Sequence, residues 1–292
     1  MDFLLKNEVV QLKLKTLGGE MTSIQAGGTE YLWQADPAYW SGQAPILFPI
    51  TGSLRNKTAR AGADKICRME RHGVARKQEF SVSEKSEHSL SFTLRDNAET
   101  RTQFPFPFLL TQTYTLEENS ICVRYTIQNT GEEILPFQIG GHPGFNCPLF
   151  PGERFEDYRI EFEQPETADC PQLDPDTGLV QMENRRRVLT ASAVLPLRHS
   201  LFEKDALIFD SLHSRRVTLK NPKTGHYISL DFQDFSYLLI WSAAGDAPFV
   251  ALEPWNGLAT CSDEGDTLEE KRGVCRLNPG ENKTVSFTIR VG

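Results

Sequence analysis

Apolar and polar positions alternate with a period of two along most of the chain, the spacing at which successive side chains of a strand point to opposite faces. Ile121, Val123, Tyr125 and Ile127 share one face, and Cys122, Arg124, Thr126 and Gln128 the other. The run from Thr111 to Leu116 predicts a hairpin partner for that strand, joined through Glu117-Glu118-Asn119-Ser120. Arg216 to Lys220 predicts a second hairpin with His226 to Phe232, because the intervening Asn221-Pro222-Lys223-Thr224-Gly225 has the residues that reverse a chain. Leu90 to Leu94, Tyr237 to Trp241, Phe249 to Leu252 and Thr284 to Val291 read as further strands. Helical periodicity is nearly absent, and 17 prolines and 21 glycines interrupt the chain often. The predicted fold is all-β, a large antiparallel β-sandwich.

Two stretches break the pattern, the proline-rich Phe104-Pro105-Phe106-Pro107 and the polar segment from Gln164 to Asn184. Both read as loops on one body, being too short and too varied for an interdomain linker. No repeat of fixed period appears, which argues against a propeller or solenoid. Residues 1–292 are therefore read as a single domain, a size within reach of a large sandwich.

Charge narrows the range of partners. A formal net charge of -8 speaks against nucleic acid or an anionic membrane surface, which call for clustered Lys and Arg. A small-molecule partner is expected instead. Glu8 and the alternating Val9-Val10-Gln11-Leu12-Lys13-Leu14 stand where an export signal would place a basic and then an uninterrupted apolar segment, and no apolar run reaches membrane-spanning length. With six scattered cysteines and no Cys-x-x-Cys pair, reduced thiols and a cytoplasmic location are expected. Sequons at Asn56 and Asn282 carry no weight in that setting.

Familiar catalytic signatures are missing: there is no Gly-x-Gly-x-x-Gly, Walker loop, His-Glu-x-x-His or Gly-x-Ser-x-Gly. Three polar residues in apolar or glycine-rich settings remain. Glu253 follows Phe249-Val250-Ala251-Leu252 and precedes Pro254-Trp255, which places it at a strand end, partly removed from water. Desolvation there would raise its pKa toward the range of a base near neutral pH, although the local sequence also fits a strand-end glutamate facing solvent. His142, in Gly140-Gly141-His142-Pro143-Gly144, sits where glycines permit close approach of a ligand; a structural hydrogen bond in a tight loop is the competing account. His72, in Arg71-His72-Gly73, reads either as a ligand-facing group or as part of a polar turn. His88, His199, His213 and His226 are assigned to the surface.

Four segments in order carry a resemblance: Leu47-Phe48-Pro49-Ile50-Thr51-Gly52, Arg71-His72-Gly73-Val74-Ala75-Arg76, Gly141-His142-Pro143-Gly144-Phe145, and Phe249-Val250-Ala251-Leu252-Glu253-Pro254-Trp255. Together they resemble the aldose 1-epimerase (galactose mutarotase) family, nearest its LacX-like branch, over nearly the whole chain. The resemblance implies a sandwich of the galactose-mutarotase type, with Glu253 as general base, His142 as general acid and His72 as a substrate-binding histidine. It also implies a sugar-holding aspartate at Asp205, with Asp210 as its rival. Relatives commonly carry an arginine after the glycine matching Gly52, where this chain has Ser53, so Arg55 enters as a candidate substitute and Arg76 as a further substrate-binding candidate.

The implied reaction interconverts the α and β anomers of a free aldose by opening and reclosing the ring, which needs proton transfer and neither cofactor nor metal. A hexose-6-phosphate 1-epimerase is the nearest alternative, with Arg55, Arg71 and Arg76 as phosphate candidates. A non-catalytic carbohydrate-binding protein and a metal site of His72, His142 and Glu253 are the other two. Trp255 reads equally as a sugar-stacking or a core residue, beside Asn256 as a hydrogen-bonding one. Neither the sugar nor the oligomeric state is legible in the sequence.

Overall fold

The structure, a computed structural model, describes residues 1–292. Two antiparallel sheets dominate it. A nine-stranded sheet runs in the order Val180–Pro196, Arg159–Leu173, Arg216–Lys220, Tyr227–Asp231, Asn282–Val291, Ser120–Asn129, Phe108–Glu117, Ser89–Arg95 and Ser81–Lys85. A six-stranded sheet is ordered Leu207–Phe209, Tyr237–Trp241, Phe249–Trp255, Gly140–Gly141 and Ile46–Leu47, with Gly144–Asn146 also paired to Phe249–Trp255. A four-stranded sheet of residues 2–30 and two small ribbons complete the fold. This is the large antiparallel β-sandwich that the sequence predicts. No helix is long and apolar enough to cross a membrane.

Period-two patterning explains the large sheet. Ile121, Val123, Tyr125 and Ile127 are all buried, and their partners Leu116, Tyr114, Gln112 and Leu110 are buried too. Asn282–Val291 adds Val285, Phe287 and Ile289 to that inner face. A cluster of 69 buried apolar residues, from Leu5 to Val291, fills the space between the layers. Its size explains why few helices are needed: each sheet covers the apolar face of the other. The only α-helix, Ala98–Gln103, is short and capped: Asn97 accepts from Thr100 N–H and Thr100 Oγ1 accepts from Asn97 N–H.

One reading needs correction. The polar stretch from Gln164 to Asn184 is not a loop: it lies in a long hairpin, Arg159–Leu173 with Val180–Pro196, turned at Asp174–Leu179. Only residues 159–162 pair with the large sheet, and the remainder leaves it through register shifts between Glu161 and Gln172. Buried Glu166 anchors the departure by accepting from the His213 and Ser214 N–H groups at 3.0 and 2.6 Å. The hairpin tip then reaches the loop that follows Phe249–Trp255, where Val180 N–H donates to Thr260 O and Ser262 N–H to Val180 O. Away from the large sheet this ribbon has little core to cover, so its residues are polar and alternation fades.

Candidate active site

Strand Phe249–Trp255 is central and wholly buried, which accounts for its unbroken apolar run. Glu253 lies within this strand rather than at its end, beside Leu239 on the neighbouring strand, which in turn pairs with Ile208. Leu238, Ile240, Val250 and Leu252 enter the main core, whereas Ile208, Leu239 and Trp255 belong to a separate cluster on the other face. Glu253 therefore projects away from the core into a concavity.

The partner chain on the other side of Phe249–Trp255 is broken. Gly140 pairs with Trp255 and Gly144 with Ala251, so His142, midway in one segment, falls beside Glu253, midway in the other. Leu252 N–H donates to Pro143 O and Asn256 N–H to Ile139 O. Pro254 stands between these two donors, opposite the break, where a missing N–H costs no ladder bond. Gly144 is required for a different reason: a Cβ there would lie 2.8 Å from the Trp40 ring.

The break brings His142 Nε2 to 3.2 Å from Glu253 Oε2, with both side chains buried. Burial drives both toward neutrality. The Glu253 carboxyl is raised well above its ordinary value by desolvation, an effect that Arg71 opposes and Asp205 reinforces. Desolvation pushes the His142 imidazole down to about 3. Burial thus favours the neutral pair, with the shared proton on the carboxyl.

His72 completes the cluster, its ring centroid 5.5 Å from that of His142. Its Nδ1 accepts from Gly52 N–H at 3.1 Å, and burial holds the imidazole neutral, with a pKa well below the ordinary value. An imidazole that accepts at Nδ1 carries its proton at Nε2, so His72 is set as a donor. Gly52 serves this arrangement with φ +68 and a Cβ direction blocked by Ala259.

These groups line a cavity of about 290 Å³ together with Arg71, Arg76, Asp205 and an aromatic wall of Trp40, Trp241 and Trp255. Trp40 stacks on His142 at 4.8 Å and Trp241 meets it edge-on at 5.5 Å. Asp205 approaches Arg71 to 3.8 Å across the mouth. The Trp255 Nε1–H and His142 Nδ1 are buried without hydrogen-bond partners. Five expected site residues, Glu253, His142, His72, Asp205 and Arg76, are therefore brought together.

Arg55 is not among them. Its guanidinium bonds Asp266 at 3.0 Å and the carbonyls of Cys261, Ser262 and Glu264 at 3.0–3.3 Å, holding the 261–266 loop and leaving Ser53 uncompensated from that side. The rival Asp210 is taken up by a two-pronged pair with Arg185 at 2.6 and 3.0 Å and lies outside the cavity. Two of the histidines assigned to the surface are half-buried against rings, His199 on Phe155 and His226 on Phe150. No three His, Cys, Asp or Glu side chains converge as metal ligands.

Residues 1–284 match the family described as aldose 1-epimerase. The chain belongs to the aldose 1-epimerase family. Within it, the sequence is 44% identical to the plasmid and chromosomal forms of protein LacX of Lactococcus lactis subsp. lactis, covering 98% of each chain. Among solved structures, a galactose mutarotase related enzyme from Lactobacillus acidophilus superposes with a TM-score of 0.94 at 31% identity, covering 100% of this chain and 97% of that one. A galactose mutarotase-like protein from Lactobacillus casei gives 0.92 at 32%, with both chains covered completely.

The cavity of this aldose 1-epimerase family member is also lined by Trp40 and Trp241, which the sequence did not single out, and by Arg71, which entered only as a phosphate candidate. Trp40 lies in the turn-rich segment Asp36-Pro37-Ala38-Tyr39-Trp40-Ser41-Gly42, where a large aromatic without strand periodicity is the available signal. Trp241 ends a predicted strand and looks like core.

Proposed function

We propose that the protein is an aldose 1-epimerase acting on a free aldose, with Glu253 as base and His142 as acid. The buried Glu253–His142 contact at the inner end of a cavity of monosaccharide size carries this reading. In the reactive state the shared proton is on His142. Glu253 takes the proton of the C1 hydroxyl, His142 gives its proton to the ring oxygen, and the C1–ring oxygen bond breaks to leave an open-chain aldehyde. Rotation about C1–C2 presents the other carbonyl face, and reversal of both transfers closes the opposite anomer. Protons balance throughout, because ring opening turns the charged pair into the neutral pair that burial favours.

The remaining polar groups suit binding. His72 Nε2–H donates to a sugar oxygen, Asp205 accepts from hydroxyls, and the three tryptophans offer flat apolar faces to a pyranose. Polarimetry of freshly dissolved α-glucose and α-galactose tests the reading: acceleration above the spontaneous rate without added metal or nucleotide supports it, and none over a panel of free aldoses and their phosphates refutes it.

The 6-phosphate alternative gains one observation, since Arg71 and Arg76 both line the cavity. Arg71 is faced by Asp205, however, and Arg76 Nη2 donates to Arg71 O at 3.2 Å. A carboxylate beside the arginines disfavours a phosphate dianion, so free sugar is the preferred substrate. Arg76→Ala should then affect glucose and glucose 6-phosphate alike, whereas a phosphate pocket predicts a loss confined to the latter.

A further inference from the structure

Beyond the catalytic chamber lies a second and larger one of about 790 Å³, continuous with it through Arg71, Leu173, Asp205 and Ala259, which line both. The inner chamber is at the low end of the size range of ligand sites, and the outer is near the top. Glu253, His142, Trp40 and Trp241 line the inner chamber alone. A pyranose with C1 and its ring oxygen at Glu253 and His142 therefore turns its opposite edge, carbons 3 and 4, toward Arg71, Asp205 and the outer chamber.

The wall of that chamber is the hairpin that leaves the large sheet. Gln172 and Gln181 face each other across its strands, and Gln172 Nε2 donates to Asn184 Oδ1 at 2.8 Å while Gln181 Nε2 donates to Asp174 Oδ2 at 3.3 Å. These bonds hold the amides in place and leave the two glutamine oxygens and the Asn184 nitrogen for a ligand. Leu173 and Pro175 add an apolar shelf. The charged lining, Arg71 and Lys204 against Asp174, Glu203 and Asp205, is mixed in sign. Fixed amides, an apolar shelf and no excess positive charge suit a neutral polyhydroxylated group better than a phosphate.

We infer that the hairpin forms a second sugar subsite, and that the preferred substrate is a reducing disaccharide whose reducing-end ring enters the catalytic chamber and whose second ring, attached at carbon 4, fills the outer one. This inference rests on the epimerase reading for the orientation of the ring.

The test compares lactose and maltose with galactose, glucose and glucose 6-phosphate. Turnover is followed by polarimetry, and affinity by calorimetry on Glu253→Gln, which reports binding without the reaction. Either disaccharide should show a KM and a dissociation constant at least tenfold below those of its own monosaccharide. Gln181→Ala combined with Asn184→Ala should erase that advantage and leave monosaccharide kinetics unchanged. Asn184→Trp, which adds bulk at a residue lining the outer chamber alone, should do the same if the double variant folds poorly. Disaccharides that bind no better than monosaccharides, an advantage that survives both variants, or tighter binding of glucose 6-phosphate than of either disaccharide would overturn the subsite. If disaccharides bind tightly at the hairpin but no sugar is turned over, the epimerase reading fails and the subsite stands.

Discussion

Replacing Glu253 by Gln should change not only activity but the pH dependence of stability, in a direction set by the shared proton. In the unfolded chain Glu253 and His142 titrate near their ordinary values of 4.5 and 6.5. In the folded protein the carboxyl is raised well above 4.5 and the imidazole lowered to about 3. Between pH 4.5 and 6.5 both states hold one proton on the pair, as carboxylate and imidazolium when unfolded and as carboxylic acid and imidazole when folded. The pair then contributes no pH dependence. Above pH 6.5 the unfolded chain releases its proton while the folded pair keeps one, so stability falls as pH rises, by about 1.4 kcal/mol per pH unit for as long as the folded carboxyl stays protonated. In Glu253→Gln only the depressed histidine remains. Its contribution is complete above pH 6.5 and is lost as pH falls toward about 3, so the variant gains stability on the parent as pH rises above 6.5 and loses it as pH falls from 6.5 toward 4.5. His72 titrates identically in both proteins and cancels in the difference. Thermal or urea unfolding at half-unit pH steps measures this, with a relative shift in Tm of about 2–3 °C per pH unit above pH 6.5 for a chain of this size. Parallel parent and variant curves above pH 6.5 would show that Glu253 ionises normally in the fold and would refute the one-proton pair.

On the catalysed rate, Glu253→Gln and His142→Asn should each cost roughly a hundredfold or more by polarimetry with little change in binding, and the double variant should lose less than the product of the two, since they act as one unit. Near-normal turnover in Glu253→Gln with an intact fold would remove it as the base. His72→Gln should raise KM about tenfold and change kcat less, because His72 supplies a hydrogen bond to bound sugar; a loss confined to kcat would assign it to proton transfer. Arg55→Ala should leave KM unchanged and lower stability by about 1–2 kcal/mol through the freed 261–266 carbonyls, and a raised KM with unchanged Tm would return Arg55 to the sugar site.

Where one face of a strand was buried and the other wet, sequence alone determined the element. Ile121 to Ile127, the hairpin at Asn221–Gly225 and the C-terminal strand were legible because alternation records a two-sided environment. Glu253, His142 and His72 were legible as candidates because polar groups in apolar or glycine-rich runs need a reason to be there. Their meeting was not. It follows from the break in pairing at His142 beside the Glu253 strand, a register relation between segments 111 positions apart that no local pattern encodes. Tertiary structure also decided the fate of the arginines and aspartates, whose charge is the same wherever they point: Arg55 and Asp210 went to loop and surface pairing, Arg71 and Asp205 to the cavity mouth. The hairpin from Arg159 to Pro196 was hidden for a related reason. Beyond residue 162 its strands pair mainly with each other and give the core only scattered residues such as Ala168, Cys170 and Leu189, so hydrogen bonds and the docking of Val180 help to hold it where a continuous apolar face would otherwise have announced it.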